Sequence, residues 1–301
     1  MQYQTSLLRG QPDDEAIKMI RYYEGLALEF DPRGYCVCTS EGKDSRVLGH
    51  LMRRSGVKHF YLHNITGIDP PELIYFQRRN FVEYEAQGYL TYEIMYEKSM
   101  WTLMFENLCP PMRHVRYCCE HLKERQVIQS GNAIMSMGVR KYESVKRMKK
   151  RNELEIVMGK SQRNIIMPFD NNENRNTFES CYRDNQHRLN PIAYWRDEDI
   201  WSYSTDVGLE QCCLYCEGFD RLGCIGCPMA RERGRKRDFA RWPKFKANYI
   251  RTFDRMYAER QRRKMPMMGL QSGAEWFDLW LSDKAQEITD PDQMLIGGGT
   301  P

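Results

Sequence analysis

"YCVCTSEGKDSRVLGHL", residues 35–51, opens on small and β-favouring residues and closes on an amphipathic helical pattern. Between the two lies Ser40-Glu41-Gly42-Lys43-Asp44-Ser45, with one glycine, one lysine and two hydroxyls. A turn that leaves a strand and enters a helix presents free backbone N–H groups at the helix N-terminus, where an anion is stabilised. Gly42 permits close backbone approach, Ser40 and Ser45 supply hydroxyl donors, and Lys43 adds a point charge suited to a phosphate. Asp44 after Lys43 departs from the Walker A pattern, which has Ser or Thr there. An aspartate beside a phosphate needs a helix to cap or a cation close by. Six such residues also fit an ordinary Ser/Gly turn with a surface lysine, so the surrounding chain decides.

The chain around this turn alternates. Residues 13–30 are predicted to be a helix opened by Asp13 and Asp14, with Ile17, Ile20 and Tyr23 towards one side. Gly34 breaks the chain before the strand at 35–39, and a helix follows over about 44–54. "KHFYLHN" (58–64) is a second predicted strand, ended by "TGIDPPE". The double proline suits a first helical turn, so 71–87 is expected to be helix. "LTYEIMY" (90–96) is a third strand, and helical segments at 99–108 and 117–128 precede a strand-like "AIMSMGVR" (133–140). This order points to an α/β fold with a mainly parallel sheet.

Beyond residue 145 the pattern changes. "KRMKKRNELE" is charged, and "DNNENRNTFES" (170–180) is expected to be an exposed loop. A cysteine-rich irregular segment (212–227) precedes a long basic, aromatic helix near 238–262 and a short amphipathic helix at 273–281. "MLIGGGTP" should be a loose tail.

The 301 residues suit one large or two moderate domains, and a formal charge of +4 permits an anionic partner without demanding one. No run of about 18 uncharged apolar residues predicts a membrane span, and the N-terminus has no secretory pattern. A reducing, cytoplasmic compartment is therefore expected, in which eleven cysteines are not a disulfide framework. Cys224-Ile-Gly-Cys227, followed by Pro228, is a tight turn bringing two thiolates to one centre. Zinc sites, iron–sulfur sites and redox dithiols all use that geometry. Cys118 and Cys119 are adjacent, and Cys212, Cys213 and Cys216 cluster upstream of the C-x-x-C. Cys36 and Cys38 alternate along a strand and read as packing; Cys109 and Cys181 have no partner spacing.

"SEGKDSRVL" resembles the SGGKDS-type pyrophosphate loop (PP-loop) of the adenine-nucleotide α-hydrolase-like proteins, in the branch containing phosphoadenylylsulfate (PAPS) and adenylylsulfate (APS) reductases. Glu41 stands where the family usually has a second glycine. Four further segments resemble family elements in the family's order. They are "ITGIDPPE" (65–72), "GVRKYESVKR" (138–147), "NPIAYWRDEDIWSY" (190–203) and "CEGFDRLGCIGCPMA" (216–230). The resemblance implies a Rossmann-like parallel sheet with helices on both faces. Residues 1–230 would form a nucleotide-binding domain that includes the cysteine-rich segment, with 231–301 a basic helical extension. It implies an adenine nucleotide held by Ser40, Gly42, Lys43, Asp44 and Ser45, with Thr66, Gly67, Glu72, Gly138, Arg140 and Glu143 around it. Lys43 and Arg140 would be the catalytic charges, and Glu143 would hold Arg140 in place. Trp195, Trp201, Tyr194 and Tyr203 are expected to pack beneath the site.

The cysteine order resembles two sets within the family. In APS reductases it implies a [4Fe–4S] cluster on Cys118, Cys119, Cys224 and Cys227. In the sulfur-transfer proteins of DNA phosphorothioation it implies Cys118 or Cys119 with Cys216, Cys224 and Cys227. Zinc is the alternative metal. Sulfonucleotide reductases of the family act through a cysteine in a C-terminal ECGLH-type motif, whereas the last cysteine here is Cys227. The leading expectation is therefore an ATP-using member, with Mg²⁺, that cleaves between the α- and β-phosphates and passes sulfur to the adenylated acceptor. A sulfur-donor protein of the cysteine desulfurase or thioredoxin-like kind is the implied partner. The alternatives are PAPS or APS reduction to sulfite with an external thiol donor, and a non-catalytic nucleotide-binding subunit. "ARERGRKRDFARWPKFKANYIRTFDRMYAERQRRK" (230–264) interleaves Arg and Lys with aromatics. It fits a face that tracks a nucleic acid, with DNA as acceptor, or a helix burying its aromatics with its cations in water.

Overall fold

Three of the four residues Tyr35–Cys38 (β1) are buried, and a sheet grows outward from them. β1 pairs in parallel with β2 (His59–Ile65) on one side and β4 (Met135–Met137) on the other, Cys36 standing opposite both Phe60 and Met135. The order is β3-β2-β1-β4-β7-β5-β6, where β3 is Thr91–Met95, β5 Leu154–Val157, β6 Ile165–Met167 and β7 Gln186–Leu189. Five strands form the parallel, Rossmann-like core, and β5 and β6 extend it in antiparallel fashion beyond β7. The computed structural model describes residues 12–124, 133–143, 154–157, 165–167, 186–267 and 269–283.

The helices are α1 (Pro12–Tyr22), α2 (Glu24–Phe30), α3 (Lys43–Ser55), α4 (Pro71–Ala86), α5 (Met100–Asn107), α6 (Tyr117–Cys119), α7 (Asp197–Asp206), α8 (Glu232–Arg241), α9 (Pro243–Arg262) and α10 (Gly273–Leu281). The chain divides into two compact units. The first takes 1–63, 72–93 and 128–221, and the second takes 64–71, 94–127 and 222–301. In the first, Ile17 and Ile20 of α1, Leu48 and Leu51 of α3, Val37, Tyr61, Leu189 and Trp195 form one apolar core around the sheet. Burial on this scale contributes roughly 1.5–3 kcal/mol for each large side chain. In the second, Phe239, Tyr249, Phe253, Phe277 and Trp280 pack ring against ring, with Tyr249 and Trp280 stacked at 5.3 Å. Phe239, Trp242, Tyr249 and Phe253 of the basic segment are thus core and Phe245 and Tyr257 half-buried, while Lys244, Lys246, Arg251 and Arg255 face solvent. No described helix is long and apolar enough to cross a membrane.

Several local expectations change. The helix expected over 13–30 is two, separated at Tyr23. The helix expected over 238–262 breaks at Trp242, because Pro243 restricts the residue before it and can only start a helix. Of the helix expected over 117–128, Tyr117–Cys119 is α-helical and Glu120–Glu124 is a π-turn. β7 was not foreseen, since Gln186-His-Arg-Leu offers one apolar residue in four. Tyr194 is 49% exposed and Trp201 36%, so only Trp195 and Tyr203 of that aromatic set are buried. The loop at 170–180, Cys181 and the tail at 294–301 lie outside the described residues.

Candidate functional site

In the first unit, the turn after β1 enters α3 with Gly42 as the N-cap, and no side chain caps the helix. The Ser45 hydroxyl donates to the Gly42 carbonyl at 3.0 Å and accepts the Ser40 N–H at 3.3 Å, which ties the loop across its base. The Lys43 N–H donates to the Tyr215 hydroxyl at 2.8 Å, so an orphan donor of the helix N-terminus is engaged by a side chain from far along the chain. Glu41 has φ 53°, the left-handed conformation where a glycine would be at ease. Its carboxylate is buried, accepting from Thr39 Oγ1 at 2.9 Å and Asn80 Nδ2 at 2.8 Å, with Arg46 Nη1 at 3.5 Å. Burial pushes this carboxyl up against the pull of Arg46 and the two hydrogen bonds.

β4 delivers the second half of the site. A Cβ on Gly138 would stand 3.0 Å from the backbone of Asp44 and Ser45, so the chain leaving β4 lies against the first turn of α3. Two residues later Arg140 is buried, with Nε 2.7 Å from Asp44 Oδ1 and Nη2 2.6 Å from Asp197 Oδ1. Lys43 Nζ lies 3.3 Å from the same Asp197 oxygen, 3.9 Å from Asp44 Oδ2 and 3.4 Å from the Asp220 carbonyl. Asp197 is the first residue of α7, where the helix dipole favours an anion. Burial would raise its carboxyl, but the Lys43 charge and the Arg140 hydrogen bond outweigh that and hold it below the usual range. These residues open on a cleft of about 500 Å³ also lined by Tyr142, Arg196, Glu198, Asp220 and Arg221. Four basic and four acidic side chains make the cleft formally neutral.

Asp197, Tyr215, Arg196 and Arg221 were not singled out from the sequence. The signal for Asp197 lay inside "WRDEDIW", an acidic residue at the start of a helix two residues after the packed Trp195. The described partners of Arg140 are Asp44 and Asp197. The Glu143 side chain, expected there, lies outside the described ones. Glu72 occupies the first turn of α4. Burial is the main reason that the Cys212 thiol is pushed up to about 11, and the Glu72 charge adds to it.

The second unit gathers the other predicted residues. Thr66 is buried; its N–H and hydroxyl both donate to Asp69 Oδ2 at 2.8 Å, and the Cys224 thiol points at its Oγ1 from 3.7 Å. Gly67 follows with φ 74°. Gly226, inside the C-x-x-C turn, has φ 72° and would press a Cβ to 2.5 Å from the Phe239 ring. The Cys118 thiol is pushed up by its hydrogen bond with Cys119, by burial and by the charges of Cys119, Cys224 and Cys227. Cys119 is pulled down by that hydrogen bond and by Arg116, whose Nη2 is 3.3 Å from its sulfur. The Cys224 charge in turn raises Lys123, which hydrogen-bonds it. Four thiols with a lysine and an arginine beside them suit an iron–sulfur cluster or zinc as donor chemistry. Among the described residues, no three Cys, His or acidic side chains already stand at ligand geometry. Cys216 belongs to the first unit and is exposed.

Residues 34–230 match the phosphoadenosine phosphosulfate reductase domain family. The chain belongs to that family. It is 26% identical over 206 residues to an uncharacterized protein of Methanocaldococcus jannaschii, a match covering 66% of this chain and 43% of that one. The chain spans less than half the length of the curated relatives it matches. Among solved structures it is similar to PAPS reductase from Candida auris, at 14% identity and TM-score 0.45, covering 73% of this chain and 91% of that one. It is also similar to the U34-tRNA thiolase NcsA of Methanococcus maripaludis with its [4Fe–4S] cluster, at 11% identity and TM-score 0.44, covering 87% and 81%.

Proposed function

We propose that this family member is an ATP-dependent sulfurtransferase that adenylates its acceptor, releases pyrophosphate and then passes sulfur to the activated atom. The observation that carries the reading is the convergence of Lys43 and Arg140 on one Asp197 oxygen at the head of α3. Two buried cations held by movable carboxylates are poised to exchange those carboxylates for phosphate oxygens. A formally neutral cleft gains little from a bare polyanion, so the nucleotide enters with Mg²⁺, and the cation also draws Asp44 and Asp197 off the basic groups. Charge developing on the leaving pyrophosphate falls to Lys43, Arg140 and the first N–H groups of α3, which is electrostatic stabilisation rather than proton transfer. Tyr215, accepting from the Lys43 N–H, keeps its own proton to donate towards a phosphate oxygen. Cys118, Cys119, Cys224 and Cys227 would hold an iron–sulfur cluster, whose chemistry is to carry or activate the sulfur.

PAPS reduction is the second reading, favoured by the family description. Anaerobically prepared protein incubated with α-labelled ATP and, separately, with PAPS distinguishes the two. Pyrophosphate release with an adenylated product supports adenylation, and sulfite from PAPS overturns it. Loss of either activity in Lys43→Ala ties the reaction to this cleft.

A further inference from the structure

Cys213-Leu214-Tyr215-Cys216 forms a 3₁₀ turn of the first unit with two residues facing in and two facing out. Leu214 is fully buried, and Tyr215 is anchored by the Lys43 N–H and by an edge-to-face contact with Trp201 at 5.2 Å. Cys213 and Cys216 are both exposed. That is unusual for free cysteines, which pack as small hydrophobes. The Cys216 N–H donates to the Cys213 carbonyl at 2.9 Å. In a 3₁₀ turn, residues i and i+3 eclipse with a rise of about 2.0 Å per residue, which sets the two Cα atoms about 6 Å apart. A disulfide spans roughly 4.4–6.8 Å. The neighbouring Cys212 is buried and hydrogen-bonds Cys213, whereas Cys213 and Cys216 are the exposed pair. The four thiols proposed to hold a cluster, Cys118, Cys119, Cys224 and Cys227, all belong to the second unit, and Cys216 does not.

We infer that Cys213 and Cys216 are a redox-active dithiol at the edge of the nucleotide site, reacting with a disulfide on a small molecule or a partner protein. One thiolate attacks a sulfur of the external disulfide, forming a mixed disulfide and expelling a thiolate that takes up a proton. The second cysteine, losing its proton, attacks the protein sulfur of that mixed disulfide and expels the other thiolate. Two protein thiols are oxidised to one disulfide, and the external disulfide is reduced to two thiols; the reverse sequence recharges the pair. The inference does not depend on which nucleotide the cleft takes.

The test is an anaerobic titration of the full chain in glutathione redox buffers, read by differential alkylation and peptide mass spectrometry. The expected result is loss of two alkylatable thiols in one step, with a 213–216 bridge in the corresponding peptide. Cys213→Ser and Cys216→Ser should each lose the bridge completely and accumulate a glutathione mixed disulfide on the remaining cysteine. Absence of a 213–216 bridge under buffers that oxidise a dithiol control overturns the inference. So does loss of a visible cluster absorption in Cys216→Ser alone, since Cys216 would then be a ligand.

Discussion

The cations of the cleft and those of the C-terminal helices are both buried, yet carboxylates dominate around the first and backbone carbonyls around the second. Lys43 and Arg140 rest on the carboxylates of Asp44 and Asp197, and the Asp197 side chain is 54% exposed. In the second unit, Arg235 donates to the carbonyls of Pro228, Ala230 and Leu281 at 2.7–3.2 Å, with the Asp283 carboxylate further off at 3.4 Å, and Arg260 donates to the Leu108 carbonyl. A carbonyl is fixed by the fold and cannot leave, whereas a carboxylate on an exposed first turn can. Burial alone therefore does not distinguish the two sets of cations; the balance of their counter-groups does.

The largest expected effect comes from breaking the cleft side of this contrast. Lys43→Ala should lower pyrophosphate release by at least about 100-fold, as loss of a charge-stabilising donor does. Its unfolding free energy in urea should change by no more than about 1 kcal/mol. Arg235→Ala should do the reverse, costing about 3 kcal/mol of stability because three buried carbonyls lose their donor. Nucleotide affinity by calorimetry should stay at the wild-type value. If Arg235→Ala weakens binding while leaving the urea midpoint in place, the contrast fails.

Acid separates the cleft from the buried histidines of the same unit. Burial holds the imidazoles of His59 and His187 down to about 4, against an ordinary value of 6.5. Between those values the unfolded chain binds protons that the native chain does not, so stability is full above pH 6.5 and falls as pH drops towards 4. Each histidine accounts for roughly 3 kcal/mol across that window. The cleft pairs should survive it, because Asp197 is held below the usual carboxylate range and gives up its contribution only at lower pH. Equilibrium unfolding of the wild type and of His187→Gln over this pH range checks the sign, with a flatter profile expected for the variant. The smallest effect is expected from Asp197→Asn. Removing the resident anion should tighten ATP binding several-fold without Mg²⁺ and change stability by about 0.5 kcal/mol or less. Unchanged affinity would mean that Asp197 does not compete with the nucleotide.

Much of the parallel sheet was legible because strand β1, its turn and α3 are adjacent, and their polarity pattern is local. Gly42, Lys43 and Ser45 could be placed for the same reason. Glu41 was not legible: a charged residue in a glycine position suggests an obstructed loop, yet its carboxylate is drawn inward by Thr39, Arg46 and Asn80. β7 escaped because its polar residues carry no strand alternation, and its place in the sheet comes from pairing with β4. Tyr215 escaped because an isolated tyrosine among cysteines gives no hint that its hydroxyl meets the Lys43 N–H 172 residues away.

By itself, the sequence determined the chemistry available: a glycine–lysine–serine turn between a strand and a helix, an arginine after a strand, two sets of closely spaced cysteines and a basic aromatic segment. Those features are written in neighbours a few residues apart, where backbone sterics and side-chain type decide. Only the tertiary structure decided the partners. Asp197 comes to Lys43 and Arg140, Cys118 comes within the field of Cys224, and most of that segment's rings turn inward while most of its cations stay outside. Such pairings join positions distant in sequence, and the cost of closing the intervening loops is repaid only by the packed fold as a whole.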